Sequence, residues 1–218
     1  MTASALTESK PRLLDLLRKK SVFRGDFLLA SGARSSFYFD CRLTTLDPDG
    51  AVLVGQAMFE MILDHASRNH LQIDAVGGLT MGADPVALAI GIHSKLSGAS
   101  MKLQVFSVRK SPKAHGQQKL VEGNFKAGDH VVIVEDVMTR GESALAAAQA
   151  VEQAGGRVEF VAVLVDREEG GREQLESRGY KVVSLFRGKD ILGEGEQAVT
   201  DGAQTRASKA PASLAKSD

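Results

Sequence analysis

Between residues 74 and 186 short β-favouring runs alternate with helical segments, and this alternation is the strongest constraint on the fold. "DAVGGL" at 74–79 reads as a buried strand ending in glycines. "ADPVALAIGIHSKL" reads as a helix, with Asp84 as its cap and Pro85 in its first turn. "LQVFSV" at 103–108 and Val131–Val134 are further strands, and 143–154 is a helix closed by Gly155-Gly156. "VEFVAVLVD" at 158–166 is a strand, 171–178 a helix, and "KVVSLF" at 181–186 the last strand. Strands alternating with helices predict an α/β chain with a parallel sheet and right-handed crossovers. Ligands of such sheets sit at the carboxyl ends of the strands.

Before this region, residues 12–20 read as a short amphipathic helix. Residues 21–45, rich in aromatics, Gly and Ser, read as short strands and turns. "DPDGA" at 47–51 starts a helix in which Val54, Met58, Met61, Ile62 and His65 recur at helical spacing. From about residue 194 the chain is small and polar without periodicity, which predicts a disordered tail after one domain spanning 1–193. The 218 residues suffice for one sizeable α/β core. Lys plus Arg and Asp plus Glu each number 27, so net charge argues for neither nucleic acid nor an acidic partner. Cys41 is the only cysteine, which excludes an internal disulfide and suits a reducing compartment; its expected role is structural. The N-terminus has no secretory pattern, and the most apolar stretch, 75–92, is broken by Asp84, Pro85 and glycines. No membrane span is expected, and the cytoplasm is the expected location.

The run "VVIVEDVMTRGES" at 131–143 carries the first chemical signal. Residues 139–143 lead into a helix, whose free amides and dipole favour an anion, and Thr139 and Ser143 add hydroxyls. Such a turn suits a phosphate. Glu135 and Asp136, just before it, would repel phosphate unless the ligand also presents hydroxyls. A ribose diol does, because each hydroxyl can donate to a carboxylate. The bland alternative is a capped helix after a strand. Neither G-x-G-x-x-G after a strand nor G-x-x-x-x-G-K-[ST] occurs, so the two commonest nucleotide loops are excluded. The second signal is "RKSPKAHGQQK" at 109–119, where Arg109, Lys110, Lys113, His115 and Lys119 crowd a segment that Pro112 and Gly116 keep irregular. It is either a solvated basic loop or a cationic lid able to close over a diphosphate.

Together these segments resemble the type I phosphoribosyltransferases, and two more narrow the resemblance to the orotate phosphoribosyltransferase family. "FRGDFLLASGARSSFYFDCRLTT" is similar to that family's N-terminal hood, expected over about 12–45, and "VDREEGG" to its orotate-side segment. The basic loop is similar to its catalytic loop, and 131–147 to its motif for 5-phosphoribosyl 1-diphosphate (PRPP). The resemblance implies a parallel-sheet core under a small hood. It implies transfer of the phosphoribosyl group of PRPP to orotate, giving orotidine 5'-monophosphate and diphosphate, in pyrimidine biosynthesis. Glu135 and Asp136 would hold the ribose diol, and Val137, Met138, Thr139, Arg140, Gly141, Glu142 and Ser143 the 5-phosphate. Arg109, Lys113 and His115 would hold the diphosphate, with Lys113 and His115 stabilising its departure. Lys110 would act in the partner subunit of a homodimer. Arg167 would bind the orotate carboxylate, with Thr139 on the same side and the backbone of Tyr38 and Phe39 near the ring. Mg²⁺ would come mainly on the diphosphate, with no metal ligands from the protein. Four positions depart from the family pattern: Ala30 and Met81 stand where lysine is common, and Arg140 and Glu142 where the turn usually has small residues. Two diphosphate contacts are then either missing or supplied by Arg34 or Lys119. A purine phosphoribosyltransferase, or a non-catalytic regulator on the same fold, are the alternatives.

Overall fold

The structure, a computed structural model, describes residues 4–28, 34–111 and 119–192. The expected tail, Ala30, Lys113 and His115 lie outside these residues.

The chain opens with helix α1 (Ser4–Lys20), longer than the predicted 12–20. The antiparallel hairpin β1 (Val22–Leu28) and β2 (Arg34–Phe39) follows, with Phe23 opposite Tyr38 and Val22 opposite Phe39. Alternation along β2 buries Phe37 and Phe39 in the core and leaves Tyr38 outside against Phe23 and Phe27. The short helix α2 (Arg42–Thr45) occupies part of what the sequence suggested was turn. Helix α3 (Pro48–Arg68) starts as expected: the Asp47 carboxylate accepts from the Gly50 amide at 3.0 Å and Pro48 takes the first helical position.

Next come β3 (Ala75–Leu79), α4 (Ala83–Leu96), β4 (Gln104–Val108) and β5 (Val121–Gly123), then β6 (His130–Met138) and α5 (Glu142–Gln153). The described chain closes with β7 (Arg157–Asp166), α6 (Gly171–Glu176), β8 (Val182–Arg187) and α7 (Gly188–Leu192). The six-stranded sheet has the order β5-β4-β3-β6-β7-β8, and all neighbours are parallel except β4 and β5.

Side chains alternate across β6. Val132 and Val134 join the layer beneath α3 and α4, while Val131 and Ile133 meet Ala144, Ala147, Ala148 and Val151 of α5. Those four residues of α5 recur at helical spacing, and the three alanines let the helix lie close to the sheet. Both faces of the strand are therefore covered, which explains its unbroken apolar run. Fully burying each such valine contributes about 1.5–3 kcal/mol.

Two expectations are corrected. The strand does not stop at Val134: β7 continues beside it, pairing Val137 with Val165 and Met138 with Asp166, so the two acids lie inside β6. Asp84 does not cap α4. Gly82 is at the cap, and the Asp84 carboxylate instead accepts from Thr80 Oγ1 at 2.6 Å and Ser107 Oγ at 2.5 Å, tying the loop after β3 to β4. The described ends of the basic segment leave β4 and enter β5, where the Arg109 amide donates to the Leu120 carbonyl at 2.9 Å; residues 112–118 lie outside the described residues.

Candidate active site

The two acids follow Val134 within β6, and their carboxyl groups lie within hydrogen-bonding reach of each other. Glu135 is 7% exposed. Asp136 lies against Gly82, where a methyl group would come within 2.4 Å of its Oδ1. Burial, then the charge of Asp136, push the Glu135 carboxyl well above its ordinary range. Burial also raises Asp136, opposed by the Val137 amide and by the charge of Arg42. Arg42 is itself clamped by Asp40, Nε to Oδ1 at 2.8 Å and Nη2 to Oδ2 at 3.0 Å. Carboxylates in this state gain from hydroxyl donors, which a sugar diol supplies. Cys41 is buried beside them. Burial above all, with Asp136 and Asp40, drives its thiol pKa up, so it is an inert core residue.

The turn after β6 brings backbone to the cleft. Gly141 sits at the N-terminal cap of α5 with φ 76°, a conformation costly for any other residue. The first-turn amides of α5 have no acceptor within the helix and form an anion-favouring end. Gly171, opening α6, seats directly on this turn: a methyl there would stand 2.5 Å from the Thr139 carbonyl oxygen. The orotate-side segment predicted from "VDREEGG" is thereby locked to the phosphate-side turn.

Arg167 leaves β7 with its amide donating to the Met138 carbonyl at 2.9 Å. Its guanidinium, 8% exposed, lies over the Phe39 ring at 5.4 Å and pairs with Glu169 at 2.6 Å. The hood thus reaches the site through Phe39. Glu135, residues 137–143, Arg167 and Glu169 line one cleft of about 360 Å³, within the range of small-ligand sites. The structure brings together the predicted Glu135, Val137, Met138, Thr139, Arg140, Gly141, Glu142, Ser143 and Arg167. Asp136 adjoins Glu135 but does not itself line the cleft. Glu142 lines the cleft rather than turning away, and Arg140 in the same turn carries the opposite charge. Arg109 and exposed Lys110 stand at the base of the hairpin on the same sheet edge. Neither proposed substitute cation lies in the cleft: Arg34 pairs with Asp26, and Lys119 lines a separate hollow beside β5 and the end of α5. Met81 is exposed in the loop after β3. Sequence reasoning missed Glu169, whose only signal was a second acid after Arg167, and the Asp40–Arg42 clamp, which had none.

A mostly parallel sheet whose fourth strand in spatial order feeds an acid pair into an anion-suited turn, roofed by an N-terminal hairpin, is the architecture of the type I phosphoribosyltransferases. No protein-family model matches the chain. The orotate phosphoribosyltransferase of Tropheryma whipplei (strain Twist) is 41% identical over 186 residues, 85% of this chain and 84% of that protein. The crystal structure of Mycobacterium tuberculosis H37Rv orotate phosphoribosyltransferase with Fe(III) dicitrate superimposes with a TM-score of 0.72 at 39% identity, covering 84% of this chain and 98% of that one. The same M. tuberculosis enzyme in complex with PRPP gives 0.66 at 33% identity, over 84% and 91% of the two chains. This chain belongs to the orotate phosphoribosyltransferase family.

Proposed function

We propose that the chain transfers the phosphoribosyl group of PRPP to orotate, releasing diphosphate and orotidine 5'-monophosphate, as a cytoplasmic step of pyrimidine biosynthesis. The observation that carries this reading is the cleft that joins an anion-suited turn and Glu135 to the guanidinium of Arg167 above Phe39. The 5-phosphate is held by residues 137–143 and the ribose diol by Glu135 and Asp136, whose carboxyl groups lie within hydrogen-bonding reach of each other. Orotate presents its carboxylate to Arg167, whose planar fork suits it, beside Thr139 and the backbone of Tyr38 and Phe39. Scission of the C1'–oxygen bond leaves positive character on the sugar and negative charge on the diphosphate. Arg109, Lys110, Lys113 and His115 meet that charge, and closing the basic hairpin excludes water. Among the described residues no cluster of three His, Cys, Asp or Glu could cage a metal ion. A hard cation would be carried in on the oxygens of the diphosphate itself, with Glu135 and Asp136 left to the ribose diol. Mg²⁺ bound there would neutralise the leaving group.

The same reading makes the active unit a homodimer in which Lys110 serves the neighbouring site. Two observations support self-association. Leu88, Ile92 and Leu96 form an exposed apolar stripe on α4, and Val52 is exposed on α3, which packs against α4 where Gly55 meets Ala89. On the same two helices Glu60 Oε2 and His93 Nε2 are buried without hydrogen-bond partners. No helix among the described residues is long and apolar enough to cross a membrane. Residues 1–193 are read as one catalytic domain, with the residues beyond as a tail. The test is an assay of orotate, uracil, hypoxanthine and adenine, each with PRPP and Mg²⁺. Turnover of orotate alone is expected, and turnover of a purine in its place would overturn the assignment.

A further inference from the structure

Arg167 is already engaged by a carboxylate of its own chain. Its Nη2 forms an ion pair with Glu169 Oε1 at 2.6 Å, with the Arg167 side chain 8% and the Glu169 side chain 31% exposed. The residues around Glu169 are each committed elsewhere. Asp166 accepts from Arg172 Nη2 at 2.9 Å and from the Glu168 amide at 2.9 Å. Glu168 faces outward to Arg187 at 3.7 Å and Lys189 at 3.9 Å. Gly171 is wedged on the turn at Thr139. Among the described residues Arg167 is the only partner of the Glu169 carboxylate, and open space surrounds the following Gly170. This side chain can swing while its neighbours stay fixed.

A guanidinium this buried is costly unless paired, so Glu169 neutralises a charge the site must keep. A second carboxylate can bind Arg167 well only by taking Glu169's place, so its net gain is the difference between two similar ion pairs. The carboxylate of orotate takes no part in glycosidic bond formation and is still present on the nucleotide product. The same exchange therefore operates in reverse at release.

We propose that Glu169 is an internal competitor for the orotate carboxylate: it yields Arg167 to the incoming base and reclaims it to help expel orotidine 5'-monophosphate. The proposal rests on Arg167 being the carboxylate-binding residue, and its test separates the two claims. Orotate and PRPP KM are measured by steady-state kinetics for Glu169→Gln, Glu168→Gln and Arg167→Gln. Binding of orotidine 5'-monophosphate is measured for the same variants by calorimetry, and its dissociation by stopped flow. Glu169→Gln is expected to lower the orotate KM and the nucleotide Kd about three- to tenfold, and to slow nucleotide dissociation to match. Its PRPP KM, and all constants of Glu168→Gln, should stay within about twofold. If Arg167→Gln weakens orotate while Glu169→Gln does not strengthen it, the competitor is refuted and the role of Arg167 stands. If Arg167→Gln leaves orotate unchanged, both fall. If Glu168→Gln has the effect of Glu169→Gln, or if PRPP tightens equally, the cause is general charge and the proposal is overturned.

Discussion

A single methyl group at position 171 should disable PRPP binding from outside the cleft. In Gly171→Ala the new Cβ would stand 2.5 Å from the Thr139 carbonyl oxygen, 2.9 Å from the Gly141 nitrogen and 3.0 Å from the Arg140 carbonyl carbon. All three atoms are backbone, so no side chain can rotate to make room. Restoring ordinary contact needs a shift of about 0.9 Å in the turn proposed to hold the 5-phosphate, and a displacement of that size costs on the order of 100-fold in rate. Overpacking of this kind destabilises by about 1–3 kcal/mol, which for a chain of this size lowers Tm by roughly 2–10 °C. Gly170→Ala is the control. Gly170 has φ +90°, and no atom within 4 Å would meet its methyl group. It carries left-handed strain of about 1–2 kcal/mol, hence a comparable loss of Tm, without pressing on the turn. The assay is kcat/KM for PRPP at saturating orotate, alongside thermal melts. Gly171→Ala should lose about 30- to 100-fold and Gly170→Ala less than about threefold. Equal kinetics in the two variants, with both melting lower, would refute the claim that the turn is positioned through Gly171.

Asp136→Asn should keep the fold and weaken PRPP about ten- to hundredfold in direct binding, the worth of a hydrogen bond to a charged group; unaltered affinity would return the acid pair to a structural role. Glu135→Gln should change the pH dependence of stability. The folded-state pKa of Glu135 is raised by burial, so wild-type stability declines as pH rises from the ordinary carboxylate range through the raised value. Melts from about pH 4 to 8 should show the variant gaining on wild type with rising pH and matching it near pH 4, and a constant offset would contradict this. Exhaustive chelation should abolish transfer and added Mg²⁺ restore it; full activity without divalent metal would sink the reading of the diphosphate. Mixing inactive Lys110→Ala and Asp136→Asn proteins under subunit exchange should restore about a quarter of all sites if Lys110 acts in the partner. No recovery, with exchange confirmed by mass, would place Lys110 in its own site.

Much of this molecule was legible along the chain because the relevant physics is local. Alternating strands and helices, the Asp47-Pro48 start of α3 and the glycines after α5 each follow from side chains within a turn or two. The acids and turn at 135–143, and Arg167 after β7, could be placed at the carboxyl edge because a parallel sheet leaves ligands nowhere else. What local reasoning missed depends on residues distant in sequence. Asp84 is well placed to cap α4, yet Thr80 and Ser107, from the preceding loop and the next strand, claim its carboxylate. β6 runs past its apolar stretch through two acids because β7 lies alongside to pair with it. Whether Glu135 and Asp136 share a face, whether Arg167 is free, and what Gly171 touches are questions of packing. Period-two alternation sends neighbouring side chains to opposite sides of a sheet, but only the helices laid on those sides decide what each one meets. The residue types and their order pointed to a sugar-phosphate turn, and the family resemblance added an anionic base beside it. The tertiary structure decided that the Arg167 guanidinium sits over Phe39, because that contact joins the hood to a loop more than a hundred residues away.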